Sequence, residues 1–199
     1  MTKIIYFDTE TTGLDCEKCA ITQLAGVIRA GDKEEEFNFF MAPHEGAEIS
    51  EEALKTQGKT LEEVMAYPSP KIQYVNFCTL LGKYVEKFNK TDKFFLFGWN
   101  VGYDADMVRA WFSRNGDKYF GSWFWTPPID VMSIAAKALV TERPSLQNFK
   151  LETVYRHLFP NDGEIDFHDA RADITATRKI ARKIGVGIIP DKEAVSVGK

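Results

Sequence analysis

The sequence predicts an α/β fold on a mixed sheet, and three local patterns carry that reading. Lys3-Ile4-Ile5-Tyr6-Phe7 has the apolar density of a buried strand and ends in Asp8 and Glu10. Ala20 to Ala30 and Lys33 to Pro43 read as two further strands. The turn Ala30-Gly31-Asp32-Lys33 between them has hairpin length, so they are expected as antiparallel neighbours and a purely parallel sheet is excluded. The third pattern is a long amphipathic helix expected over Ser69 to Lys90, on the spacing of Ile72, Val75, Leu80, Tyr84 and Phe88. It feeds the apolar run Phe94-Phe95-Leu96-Phe97-Gly98-Trp99, the crossover helix and buried central strand of an α/β unit.

The remaining elements follow from capping chemistry. Ser50-Glu51-Glu52-Ala53 is a helix start with a hydroxyl cap and acidic first turn, and Thr60-Leu61-Glu62-Glu63 repeats it with capping-box spacing. Asn100 is expected to cap a helix from Val101 to Asn115, stopped by Gly116. Asp130 caps a helix through Leu139, Leu146 to Leu158 forms another, and Ala170 to Ile184 the last, capped by Asp169. In the aromatic segment Tyr119 to Trp125, Trp123 and Trp125 could stack on bases, but packing is the reading preferred.

At 199 residues and 44% hydrophobic content the chain suits one domain without a linker. Its net charge of -4 argues against a broad basic surface for gripping duplex backbone, although a metal centre can supply positive charge where a phosphate sits. No stretch approaches a membrane-spanning helix, and Met1-Thr2-Lys3 leads straight into a strand, so a soluble, cytoplasmic protein with no membrane partner is expected. Cys16-Glu17-Lys18-Cys19 has the spacing of half a zinc site or a redox pair. No second pair matches it, so two reduced thiols in a surface turn are expected; Cys78 reads as a small core residue.

Side chains alternate across a strand, so Asp8 and Glu10 share a face. Two carboxylates so placed repel each other, and a divalent cation reverses that balance. Asp104 falls in the first turn of its helix on the side of Val108 and Trp111 and points inward, whereas Asp106 falls on the wet face. Asp173 shares a face with Ala176 and Ile180 and also points inward. His168 can join it only from the preceding loop. Asp8, Glu10, Asp104 and Asp173 then form an all-oxygen set suited to two Mg²⁺ or Mn²⁺ ions, with His168 to take the proton of an attacking water, as in phosphodiester hydrolysis. Asp130 as a fourth ligand, His44, His157 and the cations Arg178, Lys179, Arg182 and Lys183 are assigned structural or surface roles instead.

These residues resemble the motifs of the DEDD exonucleases, in the histidine branch that includes proofreading exonucleases of bacterial replicative polymerases. Phe7-Asp8-Thr9-Glu10-Thr11-Thr12-Gly13-Leu14 is similar to the first motif. Asn100-Val101-Gly102-Tyr103-Asp104 is similar to the second, with Tyr103 replacing the commoner phenylalanine and Trp99 a frequent histidine. His168 to Asp173 has the spacing of the third, and Asp169 stands where the tyrosine branch requires tyrosine. The likeness runs from about Lys3 to Ile184, and Gln57-Gly58-Lys59-Thr60 and Ile129-Asp130-Val131 resemble further family segments.

The resemblance implies a ribonuclease-H-like mixed five-stranded sheet with helices on both faces, one domain over 1–187, and a C-terminal tail over 188–199. It implies a two-metal 3′→5′ exonuclease releasing nucleoside 5′-monophosphates, DNA favoured, with Glu10 and His168 catalytic. Thr11, Gly13 and Leu14 would line the terminal nucleotide, Asn100 would help shape the substrate pocket near the second motif, and Phe167 would contact the substrate. Single-stranded or frayed 3′ ends are the expected partners, with a DNA polymerase or another replication or repair protein beside them; the oligomeric state stays open. An exoribonuclease of the same family, a noncatalytic end-binding or polymerase-tethering module, and a phosphoesterase of small nucleotides are the alternatives.

Overall fold

Lys3–Thr11 forms β1, Ile21–Ala30 β2 and Lys33–Phe40 β3. These three pair antiparallel, with Phe7 opposite Gly26 and Val27 opposite Glu36. The computed structural model describes residues 1–163 and 165–186, so the expected tail over 188–199 lies outside the described residues. Two short helices, α1 (Glu51–Thr56) and α2 (Leu61–Met65), carry the expected Ser50 cap and Thr60–Glu63 capping box. Helix α3 (Pro70–Gly82) leads to β4 (Phe95–Gly98), which runs parallel to β1, and α4 (Val101–Arg114) follows. Strand β5 (Ile129–Asp130) pairs parallel with β4 and passes directly into α5 (Val131–Ala138). Helices α6 (Leu151–Leu158) and α7 (Ala170–Lys183) complete the described chain.

The five-stranded order is β3-β2-β1-β4-β5, so the chain begins in the middle of its own sheet. Alternation along β1 divides the core. Ile5 and Phe7 meet Phe77, Leu81, Val108 and Phe112 of α3 and α4. Ile4 and Tyr6 face the opposite way, toward Val131, Val154, Ile174 and Ile180 of α5 to α7. The mixed sheet with helices on both faces is therefore the expected architecture. Among the described residues no helix is long and apolar enough to cross a membrane.

The structure corrects particular boundaries. The helix expected to reach Lys90 ends at Gly82. Ile72 and Val75, which defined its apolar stripe, are 58% and 55% exposed; Phe77, Leu80 and Leu81 make the buried contacts. Beyond Gly82 the chain turns so that Val85 enters the core and Lys87 pairs with Asp117 at 2.8 Å, and Phe88 at φ +75° has left helical geometry. The helix expected from Leu146 starts only at Leu151, because Asn148 Oδ1 accepts from the Lys150 N–H and the Thr153 hydroxyl. β3 ends at Phe40 rather than Pro43.

Asn100 does not cap α4 with its side chain: it sits at φ +55°, and its backbone N–H donates to Asp130 Oδ1 at 2.9 Å. Cys19 is not in a surface turn but buried against the core, beneath Gly13, where an added Cβ would stand 2.7 Å from its sulfur. Trp123 is buried as the packing reading expected, and Trp125 is half-buried.

Candidate active site

The end of β1 is where the sheet opens. β4 stops at Gly98, so the Thr9 N–H has no strand partner on that side and donates instead to Asp104 Oδ1 at 3.0 Å. The Thr9 hydroxyl donates to the same oxygen at 2.7 Å. Gly98 allows α4 to start this close to the strand, since an added Cβ would lie 2.9 Å from Val101 and 3.1 Å from the Phe7 carbonyl. Asp104 is thereby fixed, 3% exposed, in the first turn of α4, while Asp106 lies exposed beside Arg109.

Asp173 arrives from the opposite layer. Asp169 caps α7 by accepting from the Arg171 and Ala172 N–H groups, and its other oxygen accepts from Gln23 Nε2 at 3.2 Å. This ties the start of α7 to β2 and directs Asp173 at the end of β1. Oxygens of Asp8, Glu10 and Asp173 all lie within 4.8 Å of one another. Asp104 stands outside that group but is close enough to act on each of its members.

Electrostatics register the crowding. Burial, then the carboxylates of Asp104, Asp173, Glu10 and Asp169, push Asp8 well above the usual carboxylate range. Burial and the same neighbours push Glu10 up to about 8. Burial takes Asp104 up to about 7 against the opposing bonds from Thr9, and Asp173 up to about 7 against the His168 backbone N–H. Asp173 Oδ1 is buried without a hydrogen-bond partner. Such a lone pair is costly unless something fills it. A compact set of oxygen ligands with one buried oxygen unspent fits a hard divalent cation.

His168 lies in the turn before α7, exposed, at φ +75°, a region histidine enters more readily than most residues. It lines a cleft of about 360 Å³ with Glu10, Gln23, Lys55, Lys59 and Phe167. Phe167 is half-buried, its ring edge-on to Tyr155 with the Arg156 guanidinium above it. A second pocket, of about 750 Å³, shares Glu10 and Gln57 with the first and is lined by Thr11, Gly13, Leu14, Ile49 and Tyr103. Leu14 is 87% exposed at its rim. Thus Thr11, Gly13 and Leu14 join Glu10 in one pocket and Phe167 and His168 in the other, while Asn100 lines neither.

Sequence reasoning passed over Thr9, Gln23, Gln57 and Asp169 as site builders. Gln57 donates to the Thr11 carbonyl at 2.7 Å and accepts from Thr22, pinning α1 to the end of β1. The available signal was a pair of adjacent polar residues, Thr22 and Gln23, in a strand whose only other polar residue is Arg29 near its far end. The rival residues keep structural roles: Asp130 caps α5, His157 contacts Glu142 at 2.7 Å, and Arg178 and Lys179 pair with Glu34 and Asp162.

Sheet order, helix placement and the carboxylate group define the class first: α/β nucleases that gather acidic ligands over the end of a central strand. Residues 5–181 match the exonuclease family (RNase_T), and the chain belongs to that family. In structure it is similar to exonuclease I, with a TM-score of 0.70 at 21% identity over 92% of this chain and 41% of that one. E. coli exonuclease I in complex with a dT13 oligonucleotide gives 0.69 at 22% identity, covering 92% and 40%. The zinc ion bound form of the E. coli exonuclease I complex with single-stranded DNA gives the same values. These likenesses establish the ribonuclease-H-like exonuclease fold. The chain spans about two fifths of the length of the exonuclease I chains it matches. Comparison with curated proteins gives no match.

Proposed function

We propose that the chain is a divalent-metal-dependent 3′→5′ exonuclease of the histidine branch, acting on single-stranded or frayed DNA ends. The observation that carries this reading is the Asp8–Glu10–Asp173 cluster, with its unpartnered Asp173 oxygen, whose Glu10 lines the same cleft as His168. Asp8, Glu10, Asp104 and Asp173 would hold two Mg²⁺ or Mn²⁺ ions, which supply charge neutralisation at the scissile phosphate and a more acidic water. His168 accepts the proton of the water whose oxygen bonds to phosphorus, and Glu10 orients that water. The P–O3′ bond breaks, the leaving oxygen takes up a proton, and the products are a nucleoside 5′-monophosphate and a strand with a new 3′-hydroxyl.

DNA is the polymer proposed because the exonuclease I structures similar to this fold contain DNA oligonucleotides. A polymerase or another replication or repair protein as partner rests on the resemblance of the three motifs alone. Asp8→Ala should fold and lose metal-dependent hydrolysis of a 3′-labelled oligonucleotide; a variant that keeps near-wild-type rate removes the proposal.

A further inference from the structure

Beyond the carboxylates, the pocket under Leu14 contains a closed arrangement of three oxygens. The Thr11 hydroxyl lies 2.9 Å from the Gly13 carbonyl, the Tyr103 hydroxyl lies 2.9 Å from the same carbonyl, and the two hydroxyls stand 2.7 Å apart. The trio has two protons for three short contacts. One hydroxyl donates to Gly13 and the other donates to its fellow hydroxyl or to the carbonyl; in each arrangement both protons point inward. Toward the pocket the trio is an acceptor only. It offers lone pairs to a ligand hydroxyl and nothing to a ligand oxygen that can only accept.

The position of this acceptor site identifies what meets it. The scissile phosphate belongs at Asp8, Glu10 and Asp173, and the two pockets that share Glu10 flank it. The first carries Lys55 and Lys59, which suit the phosphates of the strand body. The second, with Leu14, Ile49, Ala53 and Cys19 in its wall, suits the sugar and base of the terminal nucleotide. Glu10 lines this second pocket together with Thr11, Gly13 and Tyr103, so the trio and the reacting group open on one space.

We propose that Thr11, Tyr103 and the Gly13 carbonyl form an acceptor site for the vicinal 2′- and 3′-hydroxyls of a terminal ribonucleotide, so that the enzyme favours a DNA strand ending in one ribonucleotide over the all-deoxy strand. A deoxynucleotide presents one donor on that edge, a ribonucleotide two, and a 2′-O-methyl nucleotide replaces the second donor with an acceptor. This inference rests on the exonuclease reading above.

The test is KM and kcat with Mg²⁺ on one oligodeoxynucleotide ending in a deoxynucleotide, a ribonucleotide or a 2′-O-methyl nucleotide, for the wild type and for Tyr103→Phe. One neutral hydrogen bond corresponds to about a fivefold change in KM. The expected wild-type order of KM is ribo below deoxy below 2′-O-methyl, with the ribo-to-deoxy ratio collapsing toward one in Tyr103→Phe, which keeps the ring and the Thr11–Gly13 bond. Equal KM values in the wild type, or a ratio unchanged in the variant, would overturn the inference while the exonuclease reading stands. Absence of shortening with every strand would overturn both.

Discussion

In the proposed reaction Asp8 supplies a fixed charge and His168 a proton acceptor, and each role can be tested alone. Asp8 is surrounded by Glu10, Asp104, Asp169 and Asp173, so in metal-free protein its charge opposes folding. Asp8→Asn should therefore raise the melting temperature of the metal-free protein by about 2–4 °C, as a gain on the order of 1 kcal/mol would, and remove the further rise on adding Mn²⁺. A lower melting temperature would mean that Asp8 is held by something other than its neighbours' repulsion. His168→Ala should lower kcat by about 10²- to 10⁴-fold, the usual contribution of a general base. An unchanged kcat would give that role to another group. The positions of both residues could be read from the sequence: Asp8 breaks an apolar strand, and His168 precedes a capped helix carrying an inward carboxylate. Thr9 and Tyr103 were not legible as site residues, because their roles depend on partners 95 and 92 residues away.

Helices α4 and α7 deliver their aspartates by different means. α4 is fixed by Gly98 and Thr9, whereas α7 is fixed by its own cap and by Gln23. His168 depends on the segment entering α7, and that segment is anchored by Asp162, which accepts from the Tyr155 hydroxyl of α6 and from Lys179 of α7, the latter at 2.6 Å. Releasing the anchor should blur the position of His168 while leaving the carboxylates in place. Asp162→Ala should reduce kcat on the order of tenfold, since small misplacements of a reacting group are costly, with Mn²⁺ affinity measured by calorimetry unchanged. Loss of metal affinity would show that the segment shapes the acidic cluster as well. Element boundaries were legible where a cap marked them, as at Ser50, Thr60, Asp130 and Asp169. The end of α3 was missed where a distant partner decided it, since Lys87 leaves a continued helix to meet Asp117; at Asn100 the boundary holds and only the capping role is lost to the approach of Asp130.

The whole sheet converges on one end of its central strand, and the molecule's stability should show what is concentrated there. Glu10 is raised to about 8 and Asp104 and Asp173 to about 7, so folded protein binds more protons than unfolded protein above the ordinary carboxylate values near 4. That contribution is fully present below about pH 4 and is lost as pH rises through about 7 to 8. Among the effects of pH on the metal-free protein, this one should appear as a declining melting temperature between pH 5 and pH 8, on the order of several degrees. Mg²⁺ or Mn²⁺ should restore it, with the largest rescue at the highest pH, because protons and cations compete for the same oxygens. A melting temperature of the metal-free protein that rises across that interval, or a metal rescue that shrinks toward high pH, would contradict the electrostatic picture of the site.

The most direct measurement is digestion of a single-stranded oligonucleotide labelled at its 5′ end, with a free or a blocked 3′ end, in Mg²⁺ and in chelator. A ladder of progressively shorter labelled strands is expected from the free 3′ end in Mg²⁺, with none in chelator and none from the blocked strand. Release of labelled mononucleotide from the 5′ end, internal cleavage of the blocked strand, or shortening that persists in chelator would contradict a metal-dependent 3′→5′ exonuclease.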